Sequence, residues 1–190
     1  MSTGNLPLPD DLQSILNELA RTDEETRQIV SGLSEAQLNR RPSLTEWSVA
    51  QCLSHLAQMD SVLTVALRTA VLQTNRSSRM PYRPIQPGWF GRWFIREMEP
   101  PPRRKLESPK QGIPGATQSK AEILGAFLAA HDEVRSLIHE GRELDLNRIY
   151  FRNPFIRLVR YSVGTALLVI GAHDRRHLWQ ANQVRNAIRP

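Results

Sequence analysis

Two histidines four residues apart, His173 and His177, are the residues of this chain best suited to chemistry. On a helix, a four-residue step places two side chains on one face, with Cβ atoms about 5–6 Å apart. Two imidazoles at that spacing can hold one metal ion, although such a pair also arises on exposed helix faces without a ligand. Gln180 follows on the same face and is a candidate to support the pair or to contact a substrate.

A third histidine, His55, lies on the apolar side of an earlier helical pattern, in line with Cys52 and Met59. Because His173 and His177 also fall on an apolar stripe, the three imidazoles are predicted to converge inside a helical bundle. Buried imidazoles need partners, so they bond to one another and to carboxylates, or they bind a metal ion. Three neutral imidazoles would suit zinc, nickel or a related divalent ion and leave at least one coordination position open.

Weaker roles are assigned to several other polar residues. His131 and His139 lie among acidic neighbours and are predicted at the surface or at the rim of a site. Cys52 is expected to be a small buried apolar residue and not a ligand. No residue is assigned as a general base. The candidates for support behind the metal ligands, or for the rim of a substrate site, are Gln180, Asp174, Asp60, Arg175, Arg176 and Trp93.

Four stretches with apolar residues at three- and four-residue steps predict the helices that must position these histidines. They cover about residues 10–32, 48–74, 119–139 and 162–188. Ser48 is a candidate N-cap, and Ser119 with Glu122 forms a capping-box pattern. No strand pattern of useful length appears. The predicted fold is therefore all-α, a four-helix bundle in one domain over residues 1–190.

A proline-rich crossover at about residues 76–118 separates the second and third predicted helices. It contains eight of the thirteen prolines, which exclude a long regular helix or a central strand. Within it, residues 88–96 contain two tryptophans and two phenylalanines and could form a short helix. Three interpretations stay open for this segment: a cover packed on the bundle, a lid or wall of a substrate site, or a membrane-docking element.

The charge is uneven along the chain. The net charge is +6, and two arginine-rich blocks, residues 76–105 and 148–190, outweigh milder acidic stretches. Such blocks suit nucleic acid, an anionic surface or an acidic small molecule, or they simply keep the protein solvated. With no signal-peptide pattern, no apolar run long enough to span a bilayer and a single cysteine, the expected compartment is the cytoplasm, with no membrane partner.

Several motifs together resemble the DinB-like superfamily, which includes YfiT-like metal-dependent hydrolases and thiol-dependent transferases. They are residues 33–38 (LSEAQL), 41–42 (RP), 46–57 (EWSVAQCLSHLA) and 171–184 (GAHDRRHLWQANQV). The resemblance implies a four-helix bundle and a homodimer. It also implies a divalent metal held by His55, His173 and His177, and a low-molecular-weight thiol cosubstrate. The proline-rich crossover departs from compact members of the family.

Three hypotheses follow. The favoured one is a metal-dependent enzyme acting on a small molecule, either a thiol-dependent transferase or a hydrolase. The second is a nucleic-acid-binding protein that uses the basic blocks, although no recognised DNA-reading motif is present. The third is a metal-binding bundle without catalysis. The substrate and the native metal are not determined by the sequence.

Overall fold

Four long helices form the body of the protein and confirm the predicted all-α four-helix bundle. The computed structural model describes residues 7–74, 80–103, 112–115, 117–156 and 159–188. The long helices are α1 (Asp10–Ser31), α3 (Val49–Gln73), α5 (Lys120–Gly141) and α6 (Val163–Ile188), joined by the short helices α2 (Glu35–Asn39) and α4 (Trp89–Met98). The helices α3 and α1 each pack against both α5 and α6.

Capping boxes set where two of these helices begin. Ser48 Oγ accepts the backbone N–H of Gln51 at 3.1 Å, and Gln51 Oε1 accepts the backbone N–H of Ser48 at 3.1 Å. The predicted box of Ser119 and Glu122 likewise starts α5. Such boxes satisfy backbone donors that would otherwise lack partners at a helix start. Because α3 begins at a fixed residue, His55 occupies a defined position two turns into the helix.

The interior consists of two apolar clusters separated by a polar layer. One cluster uses the N-terminal halves of α1 and α6 with the C-terminal halves of α3 and α5. The other uses the opposite halves of the same four helices. Burial of these apolar side chains is the main stabilising contribution to the bundle. Between the clusters lie the buried polar residues Thr22, Asp23, Thr26, Asp60, His131 and Asp174.

The described parts of the proline-rich crossover pack against the bundle. Asp11 Oδ2 accepts the backbone N–H of Ile85 at 2.8 Å. The predicted short helix is present as α4, and it packs on α6. The contact is close, since a Cβ built on Gly91 would lie 2.8 Å from Cγ2 of Thr165. Parts of the predicted crossover and of its basic block lie outside the described residues. Within the part of the chain that the structure describes, no helix is long and apolar enough to cross a membrane.

One small sheet was not predicted. The strands β1 (Tyr150–Arg152) and β2 (Arg160–Ser162) pair antiparallel, with Phe151 opposite Tyr161. Strands of three residues are too short to show an alternating pattern, which is why the sequence shows no strand pattern of useful length. The connection between them carries Asn153, whose Nδ2 donates to the Tyr161 hydroxyl at 2.8 Å.

Candidate metal centre

Three histidines from two helices converge at the centre of the bundle. His55 comes from α3, and His173 and His177 come from one face of α6. Each offers one ring nitrogen, and these three nitrogens all lie within 4.8 Å of one another. Nε2 of His55 lies 3.3 Å from Nε2 of His173. We call these residues the three-histidine cluster.

The orientation of His55 is fixed by the crossover segment. The carbonyl oxygen of Gly112 lies 2.6 Å from Nδ1 of His55, so Nδ1 carries the proton and donates it. Nε2 is therefore left with its lone pair, directed at His173. A Cβ on Gly112 would lie 3.0 Å from Cε1 and Nδ1 of His55 and 2.9 Å from Sδ of Met59. Only a residue without a side chain lets the carbonyl approach this closely without displacing its neighbours.

Trp47 and Gln180 complete the surroundings of the cluster. The indole of Trp47 stacks on His177 with ring centroids 5.9 Å apart and contacts His55 at 4.9 Å. Nδ1 of His177 is buried and has no hydrogen-bond partner within the described part of the chain. A buried ring nitrogen without a partner is costly unless something binds it. Gln180 lies one turn after His177 on α6, and both residues line the same cavity.

Burial lowers the pKa of all three imidazoles. For His173, burial and then the neighbouring His55 and Arg176 lower the pKa to about 3. Burial also lowers the pKa of His177 well below its ordinary value, and the positive charges of the other two histidines would add to the effect. For His55, burial outweighs the opposing hydrogen bond to Gly112 and lowers the pKa. The rings are neutral at pH 7, which is the form that binds metal ions.

The donor set fits a divalent ion. Two nitrogens bound to one zinc ion at about 2.0–2.1 Å in tetrahedral geometry lie about 3.4 Å apart. The 3.3 Å separation between the Nε2 atoms of His55 and His173 agrees with that spacing. In a metal-free protein the same contact would be a hydrogen bond donated by His173. The orphaned Nδ1 of His177 and the fixed proton on His55 are both consistent with binding of an ion.

The cluster opens into a cavity of about 1040 Å³. This volume lies at the upper end of the range for small-molecule sites. The lining is largely apolar and comes from α3, α4, α6 and the connection between β1 and β2. The main apolar lining residues are Trp47, Met59, Leu63, Phe94, Met98, Phe155, Ile156, Tyr161, Val169 and Ile170. The polar ones include Arg103, Arg176 and Gln180 together with the three histidines.

The structure separates the rim candidates into two groups. Gln180 and Arg176 line the cavity, and Nη1 of Arg176 donates to the carbonyl oxygen of Glu97 at 3.0 Å. Arg175 points elsewhere, because its Nε donates to Glu99 at 2.9 Å. Trp93 is corrected as well. It does not line the cavity, and this wall is formed by other side chains of α4, including Phe94.

His131 is the clearest correction. The sequence predicts it at the surface or at the rim of a site, but its side chain is fully buried. Nδ1 of His131 lies 2.6 Å from Asp23, and Nε2 lies 3.4 Å from Asp174 and 3.8 Å from Asp60. Burial alone would lower the pKa of His131, but Asp174, Asp23 and Asp60 raise it to about 10. The prediction rested on the acidic neighbours of His131 in the sequence, but the side chain of His131 itself faces the core.

Asp60 and Asp174 therefore lie beside His131. Asp174 follows His173 directly, and successive residues on a helix point about 100° apart, so its side chain does not share the face of the metal ligands. Asp60 is buried and also reaches the cavity wall. Burial and the neighbouring Asp174 raise the pKa of Asp60 well above its ordinary value. We call Asp60, His131 and Asp174 the Asp–His cluster.

Two other expectations concern His139 and Cys52. His139 is exposed on α5, in agreement with its predicted surface position. Cys52 is fully buried, and burial raises the pKa of its thiol to about 12. A thiol in that state is a poor ligand and a poor nucleophile at neutral pH, so Cys52 behaves as a small core residue.

Comparisons with known proteins agree with this architecture. YuaE, an uncharacterized protein of Bacillus subtilis (strain 168), is 27% identical over 187 residues, covering 92% of this chain and 98% of YuaE. The fold is similar to that of YfiT from Bacillus subtilis, described as "a probable metal-dependent hydrolase with an unusual four-helix bundle topology". That match has a TM-score of 0.59 and 15% identity, and it covers 97% of this chain and 92% of YfiT. The family model of the DinB superfamily matches residues 18–181. The chain belongs to the DinB superfamily.

Proposed function

We propose that the protein is a metal-dependent enzyme that acts on a small molecule, with His55, His173 and His177 as the metal ligands. The observation that carries the proposal is the convergence of three neutral imidazoles, one fully buried and two at the edge of burial, on the wall of a large cavity. Zinc or nickel suits three imidazole ligands. The reaction is a hydrolysis or the transfer of a group to a low-molecular-weight thiol. YfiT, which shares the fold, is described as a probable metal-dependent hydrolase, and this supports the first alternative.

A bound divalent ion would lower the pKa of water or of a thiol and so supply a nucleophile at neutral pH. The residues of the chain prepare the site for that ion. The Gly112 carbonyl holds the proton on Nδ1 of His55, and this leaves the other ring nitrogen free to bind. Trp47 covers His55 and His177 from one side and limits access of water. Three protein ligands leave at least one coordination position for a reactant, as in catalytic sites and unlike closed structural ones.

The cavity indicates the substrate class. Its walls are mainly apolar and aromatic, whereas Arg176, Arg103 and Gln180 supply polar contacts. Guanidinium groups bind carboxylates and phosphates, and the apolar wall binds a hydrocarbon or aromatic body. We infer a substrate or thiol cosubstrate with an apolar part and an anionic group. The family resemblance further implies a homodimer, which light scattering on the purified protein would test.

The test is a comparison of bound metal in matched variants. His173→Ala removes a ligand and is expected to lose one equivalent of bound zinc or nickel relative to the wild type. His139→Ala is the matched control, since His139 is an exposed histidine on α5. It should retain the wild-type metal content. Equal metal content in the wild type and in His173→Ala, or no metal in either, would refute the proposed site.

Activity separates the two reaction classes. Metal-loaded protein would be assayed against a panel of carboxylic esters and amides with no thiol present, and against electrophilic acceptors with added low-molecular-weight thiols. Turnover that needs no thiol supports a hydrolase, and turnover that depends on the thiol supports a transferase. In both cases the rate should fall to background in His173→Ala and stay unchanged in His139→Ala. A rate that survives in metal-free protein would contradict metal dependence.

A further inference from the structure

The polar layer of the bundle contains buried atoms that the three-histidine cluster does not explain. Four atoms of the Asp–His cluster are buried and have no hydrogen-bond partner among the described residues: Oδ2 of Asp60, Nε2 of His131, and both carboxylate oxygens of Asp174. The relative exposures of Asp60, His131 and Asp174 are 1%, 0% and 0%. Carboxylates removed from water in this way are strongly unfavourable unless a positive group compensates them.

His131 is held in the orientation of a metal ligand. Its Nδ1 lies 2.6 Å from Oδ1 of Asp23, a residue of α1. Asp23 is also bound by the guanidinium of Arg135. Metal-ligating histidines commonly donate their other N–H to a carboxylate, which fixes the tautomer and the ring plane. Nε2 of His131 faces Asp60 and Asp174. If a metal ion displaced the proton from Nε2, the ring would keep its other proton on Nδ1 and direct the lone pair of Nε2 toward these carboxylates.

The separations within the cluster match ligands that share one ion. Nε2 of His131 lies 3.4 Å from Asp174 and 3.8 Å from Asp60. Charge-assisted N–H···O hydrogen bonds are shorter, at about 2.7–2.9 Å. Nitrogen and oxygen ligands about 2.0–2.2 Å from one ion in tetrahedral geometry are about 3.4 Å apart. One ligand atom from each of the three residues lies within 4.8 Å of the others.

The charges also balance around a divalent ion. Asp23 is paired with Arg135. Without a metal ion, the neighbouring carboxylates hold a proton on His131, whose pKa is raised to about 10. A metal ion that bound Nε2 of His131 would displace that proton and face the carboxylates of Asp60 and Asp174. A divalent cation cancels the two negative charges of these carboxylates and satisfies the atoms that lack partners. A nitrogen and two carboxylates suit manganese, iron(II) or zinc better than soft ions.

We propose that Asp60, His131 and Asp174 form a second divalent-metal site, buried in the bundle beside the three-histidine cluster. It joins α3, α5 and α6, so its role is to fix the relative positions of these helices. Because Asp174 is the neighbour of His173 on α6, an ion there would also hold the first site in place. The second site is a positioning element, and it does not depend on whether the three-histidine cluster is catalytic.

Metal stoichiometry tests this proposal. EDTA-treated wild-type protein would be titrated with Mn²⁺ and, separately, with Zn²⁺, and bound metal would be measured after removal of excess ion. We expect two equivalents for the wild type with at least one of the two ions. Asp60→Asn should bind one fewer, and Asp132→Asn, which alters an exposed aspartate beside His131, should bind two. A wild type that binds one equivalent, unchanged in Asp60→Asn, would overturn the proposal.

A second variant keeps the test decisive if Asp60→Asn fails to fold. The double variant His55→Ala/His173→Ala removes the three-histidine cluster and leaves the Asp–His cluster intact. It should still bind one equivalent of Mn²⁺ or Zn²⁺, and its thermal unfolding midpoint should rise with the concentration of that ion. No binding and no rise with either ion would refute the second site. A wild type that binds a single equivalent, which Asp60→Asn loses and the double variant keeps, would refute only the proposed function.

Discussion

The sharpest prediction concerns Gly112, which has no role in chemistry but fixes His55. In Gly112→Ala the added Cβ would lie 3.0 Å from Cε1 and Nδ1 of His55 and 2.9 Å from Sδ of Met59. Real Cβ atoms essentially never come as close as 2.9 Å to another heavy atom, and 3.0 Å is tighter than nine in ten of their contacts, so Met59 must move and His55 must give way. The backbone itself is not strained by the change, because none of the described glycines has a positive φ. The effect should therefore come from displacement of the imidazole and loss of the 2.6 Å hydrogen bond.

The expected magnitude follows from that hydrogen bond. Loss of a partner that orients a metal-ligating histidine lowers metal affinity by about 10–100-fold, which is about 1.4–2.7 kcal/mol. The assay is competition for Zn²⁺ against a chromophoric chelator at pH 7. Because two metal sites are proposed, the zinc affinity to be compared is that of the three-histidine cluster, which is the site that His173→Ala loses.

Gly115→Ala is the matched control, because a Cβ there meets only Nε2 of Gln118, at 3.8 Å. Gly115→Ala should bind zinc as the wild type does, and both variants should unfold at similar temperatures. An affinity of Gly112→Ala within twofold of the wild type would refute the account of how His55 is held. An equal loss of zinc affinity in Gly112→Ala and Gly115→Ala would show that the effect comes from the segment that contains both glycines and not from the contact between Gly112 and His55.

Three further predictions address pH, packing and substrate binding. In metal-free protein the pKa of His173 lies at about 3, below that of an unfolded histidine. The unfolded state then binds more protons, so the unfolding free energy should fall by about 1.4 kcal/mol per pH unit for this group as pH drops below about 6.5. Urea denaturation from pH 7 to 4 should show that slope, reduced in His173→Gln. Gly91→Ala, whose Cβ would lie 2.8 Å from Thr165, should destabilise the docking of α4 by about 1–3 kcal/mol in urea denaturation, and an unchanged midpoint would argue against tight packing. Arg176→Leu should raise KM for anionic substrates with little change for neutral ones, and equal changes for both would exclude a charge-recognition role.

The elements of the fold that depend on local signals were predictable. Apolar periodicity and the capping boxes at Ser48 and Ser119 located the long helices to within two residues at each end. The prolines and aromatic residues of the crossover indicated a short helix, which is present as α4. The helix α2 was missed because five residues carry too little periodicity, although its capping box at Ser34 was available as a signal.

The parts of the site that depend on long-range contacts were not predictable. Gly112 meets His55 across 57 residues, and Asp23 meets His131 across 108. Neither contact leaves a local pattern, because a glycine in a proline-rich segment is ordinary and a single histidine among acidic residues resembles a surface residue. One signal for His131 was available: it lies four residues from Phe127 on the apolar face of α5, and its ring contacts that phenylalanine at 4.2 Å. Hydrophobic spacing would have placed it in the core more reliably than the charge of its neighbours.

The most direct test of the central claim is anomalous diffraction from crystals of the zinc-loaded protein, measured on both sides of the zinc absorption edge. We predict an anomalous peak about 2.0–2.1 Å from one ring nitrogen of each of His55, His173 and His177. A well-ordered map without a peak between these three rings, or with zinc bound only elsewhere, would contradict the account.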